Sequence, residues 1–201
     1  RDLTKMGSLC EEALALAAKA LANADGQTAA KIAPIDSEID QMERTIESLC
    51  LKLLLQQQPV ARDLRQISAA LKMITDMERI GDQASDIAEI IGFLNGRIGT
   101  DAQYICQMAV AAMRMVTESV EAYVKRDVAM AEATIQHDDV VDDLFLKVKE
   151  SLIQMISENP KDGEYALDLL MIAKYFERIG DHATNIAEWV VFSVTGVHEQ
   201  V

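Results

Sequence analysis

Residues that break regular structure are scarce: nine glycines and three prolines stand among 201 residues, and aromatics make up only 4%. With so few breaks and strong helix formers almost throughout, the chain reads as long helices with few turns. Cysteine is nearly absent too. Cys10, Cys50 and Cys106 are odd in number, far apart and without a CxxC pair, so they read as buried reduced thiols in a reducing compartment. No apolar run approaches the roughly 18 residues of a membrane span, and no signal peptide is visible. The chain opens at Arg1 rather than methionine, which reads as a trimmed start with part of the first helix missing. Positive charge is the last shortage. Nineteen Lys and Arg stand against 33 Asp and Glu, for a net charge of −14; the cations are dispersed, which argues against nucleic acid and leaves cations or a basic protein as partners.

What is present is a repeat. Residues 78–89 read ERIGDQASDIAE and residues 177–188 read ERIGDHATNIAE, identical at nine of twelve positions. Upstream, Asp25, Asp36 and Asp40 align with Asp127, Asp138 and Asp142 at an offset of 102, which falls to 99 in the later segment. The chain therefore divides into two homologous halves, 1–97 and 98–201. Each holds three periodic stretches: 3–24, 28–57 and 60–94, then 101–125, 127–158 and 162–194. In the third stretch Leu64, Ile67, Leu71, Ile74, Ile80, Ala84, Ile87 and Ile91 recur in threes and fours, which marks one buried helix face. Asp25-Gly26, Pro59, the NGRIGTD segment 95–101 and Asn159-Pro160 supply the breaks. The expected fold is all-α: six long helices in two tandem antiparallel three-helix bundles, in a spectrin-like arrangement. Pro34 either kinks the second helix or starts it anew; its counterpart Gln136 does neither.

Four-residue spacing puts Asp36 and Asp40 on one helix face, and likewise Glu78 and Asp82. If the second helix folds back on the third, Asp40 with Glu78 and Asp36 with Asp82 are equidistant from Pro59. In the second half, Asp142 with Glu177 and Asp138 with Asp181 are equidistant from the Asn159–Pro160 bond. Four carboxylates are thus expected at matching heights in each copy. Like charges about 4 Å apart repel by on the order of 1 kcal/mol in water and about 4 at an effective dielectric of 20, so shifted pKa values or bound cations must neutralise them. Oxygen-only ligands suit hard cations: Mg²⁺, Mn²⁺, Ca²⁺ or ferric iron, in carboxylate-bridged clusters. Asp86 extends the first stripe, and Asn185 is its neutral, oxygen-bearing counterpart.

Plainer roles compete. Acidic residues four apart are common on solvated faces, Asp36 and Glu38 suit a helix N-terminus if Pro34 begins one, and Arg44 is placed to pair with Asp40. Gly81 and Gly180, mid-helix, cost about 1 kcal/mol each against alanine and permit close approach of a helix or ligand. Arg79 and Arg178 read as anchors for the ligating carboxylates or as surface ion pairs. His137 and His182 point about 100° from their acidic neighbours and read as non-ligands. The Glu-x-x-His pattern of di-iron bundles, HExxH, phosphate loops and GxGxxG are all missing, so no catalysis is expected.

Tandem three-helix units with Asp-x-x-x-Asp on the second helix and ERIGD(Q/H)A(S/T)(D/N)IAE on the third resemble the PhoU family, as does PVARDLR at 59–65. The resemblance covers nearly the whole chain. It implies two PhoU domains holding multinuclear clusters of iron, manganese, magnesium or zinc. Asp36, Asp40, Glu78 and Asp82 would hold one, and Asp138, Asp142, Glu177 and Asp181 the other. It further implies negative regulation of the phosphate-starvation response at the cytoplasmic, inner face of the plasma membrane. The implied partners are the phosphate ABC transporter and a sensor histidine kinase, with a homodimer as a further option. Two rivals stay open: a carboxylate-bridged metal storage or oxidase bundle, and a metal-free helical scaffold.

Overall fold

The computed structural model describes residues 1–56, 58–97 and 102–198. In order, the helices are α1 (Asp2–Asn23), α2 (Gly26–Ala30), α3 (Ile32–Gln56), α4 (Ala61–Phe93), α5 (Gln103–Lys125), α6 (Val128–Glu158) and α7 (Gly163–Thr195). A one-turn 3₁₀ segment, Pro160–Asp162, joins α6 to α7. No strand occurs among the described residues. Six of these helices are long and α2 is a short lead-in, so the all-α fold of two three-helix bundles holds: α1, α3 and α4, then α5, α6 and α7. The NGRIGTD break lies outside the described residues from 98 onward.

Both copies turn from their first helix in the same way. Ala24 and Arg126 adopt left-handed backbone (φ 47° and 54°), and the next residue's amide, Asp25 or Asp127, returns to the carbonyl of Ala20 or Ala122 at 2.9 Å. That closes the helix C-terminus. The same aspartates then cap the next helix, Asp25 accepting from the Gln27 amide and Asp127 from the Met130 amide. The copies then diverge. Pro34 falls in the first turn of α3, where its missing N–H costs little, and the chain breaks at Lys31 between α2 and α3. Pro34 therefore starts the helix anew. With Gln136 in its place, α6 runs unbroken for 31 residues.

The apolar stripe of α4 is buried only from Ala69 onward, through Met73, Ile74, Met77, Ile80, Ala84, Ile87 and Ile91. Leu64, expected on the buried face, is 45% exposed. Leu64 stands at the hairpin end of α4, where Leu55 and Val60 are exposed as well; further up, the Cys10 thiol of α1 donates to the Met77 carbonyl and the stripe is covered. Cys10 and Cys50 are buried, Cys106 is half-buried, and all three are free thiols.

The bundles pack through α4 against α7 and α1 against α5. Along α4 and the turn after it, Arg65, Asp76, Asp86 and Arg97 meet Gly196, His182, Arg178 and Asp162, on or flanking α7, so α7 runs antiparallel. Gly7 against Val120 and Glu11 against Thr117 give α1 and α5 the same sense. A pseudo-twofold thus relates the copies, passing near Gly81 and Gly180, and one continuous core spans both. Each fully buried Ile, Met or Phe in it contributes about 1.5–3 kcal/mol.

Candidate metal centre

Asp36 and Asp40 flank the buried Ile39 on α3, and Glu78 and Asp82 flank the buried Ile80 and Gly81 on α4. All four acids therefore sit on the rim of the α3–α4 seam. One carboxylate oxygen from each of Asp36, Asp40 and Asp82 lies within 4.8 Å of the others, and Asp138, Asp142 and Asp181 repeat the arrangement on α6 and α7. The glycines make room for it. A Cβ on Gly81 would stand 2.8 Å from Asp36 Oδ1, and one on Gly180 would stand 3.2 Å from Asp138 Oδ1.

Packing this close shifts the acids. Asp36 and Asp138 are each pushed up to about 7, first by desolvation and then by neighbouring carboxylates, Asp82 for the one and Asp142 for the other. Desolvation and the adjoining Asp82 raise Glu78 as well. Asp40, Asp86, Asp142 and Asp181 move upward for the same two reasons. Asp36 Oδ1, Asp40 Oδ1 and Asp138 Oδ1 are shielded from solvent and accept no hydrogen bond. A shielded, unpaired carboxylate oxygen is costly, and a cation seated in the triad that holds it removes that cost. The donor set is all oxygen, which fits hard ions such as Mg²⁺, Mn²⁺ or Fe³⁺ and lacks the His or Cys that favour zinc. The residues present fit a metal.

Not every candidate converges on these triads. Glu78 and Glu177 border them without completing the tight set, and Asp86 lies one turn further along α4. Asn185 Nδ2 donates to Asp76 Oδ1 at 3.2 Å, across the interface between copies, a bond that leaves its Oδ1 uncommitted. Arg79 lies 3.9 Å from Glu78 and is mostly exposed. Arg178 lies over the Tyr175 ring at 5.6 Å and attracts Asp86 across the interface. Arg44 reaches the backbone carbonyl of Asp40 at 3.4 Å. His137 and His182 are engaged by Glu118 and Asp76, each at 3.0 Å.

Three residues around the sites were not singled out from sequence. Glu43 on α3 lies close enough to Glu78 to raise it; its position three after Asp40, on the same helix face, was an available signal. Lys174 Nζ donates to Glu177 at 2.6 Å, with the same three-residue spacing as its signal. Asp76, which ties α4 to His182 and Asn185, carries no local signal.

The PhoU domain family matches the chain twice, over residues 3–91 and 105–190. The phosphate-specific transport system accessory protein PhoU homolog of Clostridium acetobutylicum is 36% identical over 197 residues, spanning 97% of this chain and 90% of that protein. The crystal structure of PhoU from Pseudomonas aeruginosa superposes with a TM-score of 0.94 at 34% identity, covering 98% of this chain and 95% of that one. PhoU from Streptococcus pneumoniae, described as a phosphate transport system regulatory protein, gives 0.88 at 25% identity, covering 100% and 95%. A doubled three-helix unit, its acidic seams and two matches to one domain along nearly the full chain place this protein in the PhoU family.

Proposed function

We propose that this chain is a non-catalytic accessory protein of phosphate-specific transport, restraining the phosphate-starvation response from the cytoplasmic face of the membrane. It acts through the phosphate ABC transporter and a sensor histidine kinase. Each repeat, 1–97 and 98–201, is read as one unit carrying one metal site. Asp36, Asp40, Glu78, Asp82 and Asp86 hold the ions of the first, and Asp138, Asp142, Glu177 and Asp181 those of the second. Asn185, whose Nδ2 is held by Asp76, adds its carbonyl Oδ1 to the second set.

The names of the relatives support the transport role, and among the described residues no helix is long and apolar enough to cross a membrane. The observation that carries the metal reading is the repeated trio of carboxylate oxygens within 4.8 Å, with shielded oxygens that nothing in the protein satisfies. Bound ions supply positive charge. The chain's own residues do the rest: the paired helices hold the carboxylates in register, Gly81 and Gly180 let α3 and α6 approach, and the rigid rods fix the shape offered to partners. Neutralising the two acidic faces sets the geometry in which they dock.

The test is the double variant D82K/D181K, assayed for metal by elemental analysis of protein purified without chelator and for repression with a phosphate-starvation reporter. Loss of both metal and repression is expected. Unchanged metal content in the double variant defeats the metal reading, and unchanged repression defeats the docking role.

A further inference from the structure

We propose that Lys174 is a built-in counter-cation of the second acidic site, so that metal loads first, and more tightly, onto the site of the first copy. The inference rests on the metal-binding reading above. Lys174 Nζ lies 2.6 Å from Glu177 Oε2 and 5.3 Å from the centre of the Phe145 ring. The ring face and the carboxylate together hold the ammonium at one end of the site.

In the first copy, Phe145 and Lys174 correspond to Glu43 and Thr75. The Thr75 hydroxyl turns back onto its own helix, donating to the Leu71 carbonyl at 3.3 Å. Glu43 is a further half-buried carboxylate beside Glu78 and Asp82. One copy thus presents an extra negative charge where the other presents a positive one. Asp86 widens the gap, since Asn185 in its place is neutral. The first copy's own cations are looser: Arg79 stands 3.9 Å from Glu78, and Arg44 bonds a backbone carbonyl rather than a carboxylate. Arg44 draws on Asp40 and Glu43 as Lys174 draws on Asp142 and Asp181, but only Lys174 is fixed on a carboxylate of its site, 2.6 Å from Glu177. An ion entering the second site must displace the ammonium or bind beside it, and either weakens retention.

Metal-free full-length protein titrated with Mn²⁺ by calorimetry, with free Mn²⁺ followed by its paramagnetic resonance, tests this. Two affinity classes are expected, the tighter lost in D82N and the weaker in D181N. K174M keeps the apolar stem on Phe145 and removes the charge; it should tighten the weaker class at least tenfold, whereas K174R stays near the parent. The reciprocal exchange E43F/T75K should weaken the tighter class by a similar factor, which keeps the test decisive if K174M folds poorly. A weaker class unmoved within twofold by K174M, or loss of the tighter class in D181N, overturns the proposal. Two equal classes overturn this inference alone, and no Mn²⁺ uptake by the parent protein overturns the metal reading with it.

Discussion

The two acidic seams share a skeleton and differ in their surroundings. Each sets two aspartates, four apart, against a glycine on the facing helix, with three carboxylate oxygens inside 4.8 Å. Around that skeleton the first copy adds Glu43 and Asp86, while the second adds Lys174 and turns Asn185 toward Asp76. The positions that hold backbone to backbone are the ones that repeat; those that adjust charge have drifted. Geometry is the shared property of the pair, and electrostatic strength is what separates them.

The most drastic way to separate the two is to reverse one charge at a time. D82K should strip the protein of more metal than D181K, because it empties the more acidic site; elemental analysis of both proteins measures the difference, and equal losses would remove the ranking. A pH series examines what the seams have in common. Asp36 and Asp138 titrate near 7 when folded, against an ordinary value of 3.8. The folded chain therefore retains protons that the unfolded chain has released. Their contribution is fully present below about 4 and is lost as pH rises through 7, so the melting temperature of chelator-treated protein should fall between pH 5 and pH 8. Glu78, pushed up to about 8, adds to the fall, so D36N, D138N and E78Q should each flatten part of it, and saturating Mn²⁺ should reverse it by binding the deprotonated form.

A smaller effect distinguishes the glycines. In G81A the new methyl meets Ile39 Cδ1 at 3.0 Å as well as Asp36, and overpacking of about 1–3 kcal/mol exceeds the roughly 1 kcal/mol gained in helix propensity. In G180A the nearest contacts are 3.2 and 3.5 Å, and the two effects should nearly cancel. Urea denaturation of the metal-free proteins reads the difference directly. The smallest change is expected from D76N, which weakens the tie to His182 and Asn185 and should cost about 1 kcal/mol; its pseudo-twofold counterpart Tyr175 has no such tie, so Y175F should cost less.

Much of this was legible in the sequence because it depends on spacing along one helix or across one turn. The repeat, the prolines at both hairpin turns and the equal distances of the acids from those turns are enough to place the carboxylates together. Three kinds of feature were not legible. Leu64 matched the apolar period, yet its burial depends on what stands opposite the hairpin end of α4, and periodicity within α4 carries no information about its neighbours. Asn185 occupied the right step of its helix, but its partner Asp76 lies on the other copy, and the antiparallel seam of α4 and α7 is invisible to spacing within either. Glu43 and Lys174 were readable in principle, since each stands three residues from one of the acids; three-residue spacing shares a helix face as four-residue spacing does.

That antiparallel seam relates the repeats by rotation. A face that meets its own repeat around a twofold is self-complementary, as in an isologous pair of subunits. Were the repeats separate molecules, closing the seam would depend on how often they met. Held in one polypeptide, they meet at an effective concentration in roughly the millimolar range, so pairing survives changes that would disrupt an association between free partners. Covalent linkage also frees each half from having to fit an identical copy of itself, which is how a lysine in one repeat can answer to a threonine in the other.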